Sequence, residues 1–105
     1  MKDNDRAALV ALKQRLRERF GQVELTVFGS KARGEDVPDS DIDVLIVLES
    51  VTAGTEAEID DLIYDIDLAY DCVISAMVFS RSELSEGPLR QSPLLRAIAR
   101  EGVAV

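Results

Sequence analysis

The stretch Val27-Phe28-Gly29-Ser30-Lys31-Ala32-Arg33-Gly34, followed after a short gap by Ser40-Asp41-Ile42-Asp43, decides the reading of the fold. The β-branched, apolar run Val23–Phe28 leads into it and reads as a strand. Glycine at position 29 lets the backbone turn sharply and come close to a ligand. A helix starting near Lys31 would aim its free N–H groups and the positive end of its dipole at whatever lies over Ser30, which makes a phosphate site. The Ser30 hydroxyl adds a donor. Residues 41–48 then read as a second strand. Its run Val44-Leu45-Ile46-Val47-Leu48 is apolar on both faces and predicts a central strand covered on both sides. Alternation places Asp41 and Asp43 on one face, with Cα atoms roughly 6.5–7 Å apart. Two carboxylates so placed are costly unless a cation or water screens them. Mg²⁺ takes oxygen ligands and normally keeps substrate phosphates among them. Phosphate turn and paired aspartates therefore read as one site, whereas Gly29-Ser30 alone would read as an ordinary turn.

Upstream, Asn4 or Asp5 can cap a first helix. Its stripe is Leu9, Leu12, Leu16 and Phe20, and Gly21 is its stop. Downstream, Thr55 can cap a second helix with Glu58 as capping-box partner. Ile59, Leu62, Ile63, Ile66 and Ala69 or Tyr70 form its inner stripe. Glu56, Glu58, Asp60, Asp61, Asp65 and Asp67 read as a solubilising outer face. Residues 72–79 are expected to form a third strand, and 81–91, broken by Gly87 and Pro88, to be irregular. Ser92 can cap a last helix with Pro93 at its first position. Gly102 ends it, and Val103-Ala104-Val105 can add an edge strand. The expected fold is α/β (α+β), with helices packed on a small mixed sheet of three to four strands and residues 1–105 forming one domain.

Composition narrows the chemistry. The 105 residues include no histidine, which removes the commonest general base and transition-metal ligand. Any metal here is expected on carboxylates, hence Mg²⁺ or Mn²⁺. One cysteine, Cys72, allows no internal disulfide and fits a reducing, cytoplasmic setting. Net charge is −8, which makes nucleic acid a poor first partner, although Lys13, Arg15, Arg17 and Arg19 cluster in the first helix. Nothing approaches the roughly 20 apolar residues of a membrane span, and the first residues lack a signal peptide's apolar core.

Gly29-Ser30-Lys31-Ala32-Arg33-Gly34 followed by Ser40-Asp41-Ile42-Asp43 resembles the signature of the DNA polymerase β-like nucleotidyltransferase superfamily, and within it the minimal nucleotidyltransferases. The resemblance covers roughly residues 23–48. It implies the nucleotidyltransferase fold, with Gly29 and Ser30 holding a triphosphate and Asp41 and Asp43 binding Mg²⁺ as the catalytic pair. It leaves Arg33 open between a phosphate contact and an ion pair bracing the loop to Glu35, Asp36 or Asp39. Lys31 is expected to point to solvent, and Ser40 to shape the loop. Catalytic members carry a third aspartate on a neighbouring strand. Aligned by the apolar core, that position falls near Ser75. Asp71 lies four residues earlier, roughly 13 Å away along a strand, and reads as a strand-start or turn residue.

By resemblance, the implied function is AMP transfer from ATP to a tyrosine hydroxyl of a HEPN-domain partner, as the antitoxin of a toxin–antitoxin pair. The rival reading, favoured by the missing carboxylate, is a weak or inactive module that acts by binding a partner. Template-directed synthesis and small-molecule modification fit poorly, because the accessory domains they need have no room here. Val37, Met77, Phe79, Val103 and Val105 are candidates for an exposed apolar partner surface, and core packing accounts for each of them equally well.

Overall fold

The computed structural model describes residues 1–34 and 41–105. Over them the elements run α1 (Asp3–Phe20), β1 (Val23–Phe28), β2 (Ile42–Leu48), α2 (Ala53–Tyr70), β3 (Ile74–Ser80), α3 (Arg81–Glu86), a 3₁₀ turn (Pro88–Gln91), α4 (Pro93–Glu101) and β4 (Val103–Ala104). The sheet order is β3-β2-β1-β4, with β2 antiparallel to β1 and parallel to β3, and β4 antiparallel to β1. The mixed four-stranded sheet packed by helices is the expected architecture, and the apolar run of β2 is an inner strand.

Alternation sorts the strands onto two faces. On the first, Val23, Leu25, Val27, Val44, Ile46 and Leu48 pack against Leu9, Leu12 and Leu16 of α1 and Ile59, Ile63 and Ile66 of α2. On the second, Leu45 and Val47 pack with Ile98 of α4, with Phe28, Met77, Phe79, Leu84 and Leu95 around them. Met77 and Phe79 thus belong to a core. Val103 is 47% exposed.

Several boundaries differ from the sequence reading, each for a local reason. Lys2, not Asn4 or Asp5, stands at the N-cap of α1, and its side chain makes no cap bond. Asn4 and Asp5 make tertiary contacts instead: Asn4 Nδ2 donates to the Tyr70 carbonyl at 2.6 Å, and Asp5 is buried against Lys31. Thr52 rather than Thr55 caps α2, its Oγ1 accepting the Thr55 N–H at 3.2 Å. Glu58 is drawn away to Arg19, with Nε–Oε2 at 2.6 Å. Residues 81–91 are helical rather than irregular. Ser80 and Glu83 form a capping box that starts α3, and the Gly87–Pro88 break divides it from the 3₁₀ turn. β3 starts two residues later than expected, because Asp71 closes α2 in the left-handed conformation at φ 51°. Ser92 caps α4 by accepting the Leu95 N–H at 3.3 Å, as its position before Pro93 suggests.

Candidate active site

The alternation that buries Val44 and Ile46 under α1 and α2 turns Asp43 to the second face, in line with Leu45 and Val47. In register, Asp43 lies between Phe28 of β1 and Ser75 of β3. Gly29 follows Phe28 directly, so the chain leaving β1 folds back beside Asp43. A Cβ on Gly29 would lie 2.7 Å from Asp43 Oδ2, and its φ is +74°. Close approach and handedness therefore both require glycine here. The turn closes with the Arg33 N–H on the Gly29 carbonyl at 3.2 Å and the Gly34 N–H on the Lys31 carbonyl at 3.4 Å. Through Gly34 this is a turn rather than the expected helix start, because Gly34 again takes a positive φ of 76°. Ser30 sits half-buried in it.

Asp41 is exposed just ahead of β2, whose first residue is pinned when the Ile42 N–H donates to the Val73 carbonyl at 2.8 Å. Burial, and secondarily the charge of Asp41, push the Asp43 carboxyl above the usual carboxylate range. Both causes oppose its negative charge, and a divalent cation would relieve both. The donor set fits Mg²⁺ or Mn²⁺: hard oxygens from two carboxylates beside a turn able to hold phosphates that complete the coordination. Among the described residues no group of three candidate ligands gathers. The hydroxyl of Ser75 occupies the place beside Asp43 where the resemblance calls for a third carboxylate. Asp71 is an exposed turn residue outside β3, in keeping with the turn reading. Arg33 belongs to the same turn. The partners considered for it, Glu35, Asp36 and Asp39, lie outside the described residues, as do Ser40 and Val37.

Two placements correct the sequence reading. Lys31 does not point to solvent: it is 4% exposed, with Nζ 3.0 Å from Asp5 Oδ2. Asp67 is not part of a solvated face. Its Oδ1 accepts the Ile74 N–H at 3.1 Å and faces Cys72 Sγ at 3.8 Å. Burial pushes the Asp67 carboxyl up, those two hydrogen bonds lower it, and Asp41 adds a smaller upward push. The Cys72 thiol is pushed up to about 11, by burial first and then by Asp67, so it stays protonated and unreactive. Neither pairing had a local signal. Asp5 and Lys31 are joined by the fold alone, and Asp67 fits the helical period of the acidic face.

The nucleotidyltransferase domain family matches residues 9–99. The chain is 37% identical over 97 residues, 92% of its length and 88% of the relative's, to the protein adenylyltransferase MntA of Thermococcus cleftensis. A solved chain from Sulfolobus solfataricus assigned to the nucleotidyltransferases aligns over 99% of this chain and 86% of its own, at 18% identity and a TM-score of 0.47.

Proposed function

This chain belongs to the nucleotidyltransferase domain family, and on that premise we propose that it transfers AMP from ATP to a tyrosine hydroxyl of a partner protein, as the cytoplasmic antitoxin of a toxin–antitoxin pair whose other member is a HEPN-domain protein. The observation that most supports this reading is the close approach of the Gly29 turn to the Asp43 carboxylate, where a Cβ would come within 2.7 Å of Oδ2, so that a candidate phosphate turn lies directly beside a candidate metal ligand. The adenylyl donor follows the activity named for the Thermococcus cleftensis relative.

In this mechanism the chain supplies position and charge rather than a covalent intermediate. Gly29 and Ser30 hold the triphosphate with backbone N–H groups and a hydroxyl, and Arg33 is placed to assist. Asp41 and Asp43 would hold the Mg²⁺. The chemistry that Mg²⁺ would supply there is neutralisation of charge on the phosphates and on the departing pyrophosphate. Ser75 gives the acceptor side of the site a neutral hydroxyl in place of a base. Activation of the attacking hydroxyl therefore rests on Asp41 and Asp43, and transfer is expected to be slow. Among the described residues no helix is long and apolar enough to cross a membrane.

Ser75 also supports a second reading: a module that binds its partner without modifying it. Calorimetry with MgATP, followed by transfer of label from [α-³²P]ATP to the partner, separates the two. Saturable Mg²⁺-dependent binding and labelling, both lost in Asp43→Asn, support the transferase. Partner binding that survives Asp43→Asn with no labelling in the wild type supports the module.

A further inference from the structure

Beneath the Gly29-Ser30 turn lies a charged contact that this mechanism does not use. Lys31 and Asp5 are 4% and 7% exposed, and their charged atoms are 3.0 Å apart. Among the described residues Asp5 Oδ2 has no aligned hydrogen-bond donor, so the contact is charge against charge. A lysine next to a phosphate-binding serine would ordinarily offer its ammonium to ligand or solvent, but here the side chain is turned inward and neutralised. Withdrawing both ions from water is costly, and apolar side chains of similar size usually serve stability as well or better.

The contact also belongs to a closed series. Asn4, beside Asp5, is tied to the Tyr70 carbonyl at the end of α2 at 2.6 Å. Asp67, one turn earlier in α2, takes the Ile74 N–H at the head of β3 at 3.1 Å. The Ile42 N–H joins that strand's approach to β2 through the Val73 carbonyl at 2.8 Å. β2 carries Asp43, and Asp43 meets Gly29. The series therefore starts and ends on the turn, and Lys31–Asp5 is a charged link between the turn and α1.

We propose that the Lys31–Asp5 ion pair is a positioning device for the nucleotide. It sets Gly29 and Ser30 against Asp43, so that MgATP meets a preformed site. The inference rests on the proposed function, in which this turn holds the triphosphate. Lys31 and Asp5 act through the turn and do not touch the ligand.

The test is a double variant, Asp5→Leu with Lys31→Met, which removes both charges and leaves neither one unpaired. Urea unfolding establishes that it folds, calorimetry gives its MgATP affinity, and hydrogen exchange reports on the amides of residues 29–33. The expected result is a wild-type unfolding midpoint with MgATP bound at least about tenfold more weakly, as for loss of other groups that orient a ligand shell. Turn amides exchange faster while those of β1 and β2 do not. Lys31→Arg, which keeps the charge, retains affinity within about threefold, a difference well under 1 kcal/mol. A folded double variant that binds MgATP like the wild type overturns the inference. If the double variant does not fold, hydrogen exchange on the wild type without nucleotide decides: amides of residues 29–33 protected before MgATP is added support a preformed turn, and amides protected only after it is added overturn the inference. Wild-type protein with no MgATP affinity overturns the proposed function and this inference with it, whereas equal affinity in wild type and variant overturns the inference alone.

Discussion

Two aspartates flank the Gly29-Ser30 turn, and burial alone does not account for how they differ. Asp5 is the deeper, 7% exposed, yet a lysine ammonium stands 3.0 Å away. Asp43 is only partly buried, but its neighbour is another carboxylate, so both desolvation and charge disfavour its ionised form. The fold neutralises the first charge with its own chain and leaves the second to be neutralised by something else. An uncompensated charge held in place by the backbone is what a cation-dependent site needs. A compensated one is a brace. The contrast separates the residue that would bind the ligand from the residue that would position its binder, though both are acids beside the same turn.

The sharpest way to break the comparison is to neutralise each acid in turn. Asp43→Asn is expected to lower transfer by roughly a thousandfold or more, since a metal ion supplies several kcal/mol of charge stabilisation. The apo fold keeps or gains stability, because a disfavoured charge is gone. Steady-state kinetics beside thermal melts without Mg²⁺ check both halves. A variant that loses stability along with activity would make Asp43 a brace like Asp5. Gly29→Ala probes the same contact from the other side. Left-handed backbone costs an L-residue about 1–2 kcal/mol. The new methyl is met by Asp43 Oδ2, the far end of a short side chain that can swing aside. The fold therefore tolerates the change, but a displaced ligand of about 1 Å is expected to lower transfer by about a hundredfold. An alanine variant with near-wild-type kinetics would remove the close approach from the argument.

On the brace, the ordering of effects reverses. Asp5→Asn removes the carboxylate charge from beside the buried Lys31 ammonium, and is expected to cost up to about 3–5 kcal/mol of stability. Urea unfolding measures this. A loss under about 1 kcal/mol, the range of surface pairs, would mean that water reaches Lys31 in solution. A smaller effect is expected at Ser75, the residue beside Asp43 on β3. Ser75→Asp adds a third carboxylate to the same end of the sheet. It is expected to tighten Mg²⁺ by about tenfold at most and to destabilise the apo protein, which is read by metal titration and melting in parallel. Tighter metal without faster transfer would place the limiting step elsewhere than at the missing carboxylate.

The sequence showed the site more clearly than the scaffold holding it. Gly29, Ser30, Asp41 and Asp43 are legible because the chemistry lies in short spacings: a strand, a turn, and an i, i+2 pair. Ser75 falls near Asp43 when the apolar runs of β2 and β3 are aligned, and the parallel register of the two strands puts it directly beside Asp43. The α3 capping box was also written locally, as Ser80 followed three residues later by Glu83, and the nearby Gly87-Pro88 obscured it. Lys31–Asp5 and Asp67–Ile74 belong to a different class. A lysine in a turn and an aspartate on an acidic helix face are ordinary surface residues by type, and only tertiary contact, of the turn with α1 for Lys31 and of α2 with β3 for Asp67, takes them out of solvent. Periodicity assigns faces to elements, but it does not reveal which polar residue at an element's end another element will cover.

The smallest effect concerns pH, and its sign follows from Asp43 and Asp67. The Asp43 carboxyl is raised by burial first and by Asp41 second, and that of Asp67 by burial despite two hydrogen bonds. Above the ordinary carboxylate value the folded state therefore holds more protons than the unfolded chain, and stability falls with rising pH. Their favourable contribution is complete below that ordinary value and is lost as pH rises through the raised folded ones. The difference in urea midpoint between wild type and Asp43→Asn, followed without Mg²⁺ from about pH 4 to about pH 7, should move against the wild type as pH rises. Adding Mg²⁺ at neutral pH should recover the wild type by mass action and leave the variant unchanged. If the difference stays flat with pH, the Asp43 charge is already screened in the free protein, and the contrast with Asp5 would reduce to geometry alone.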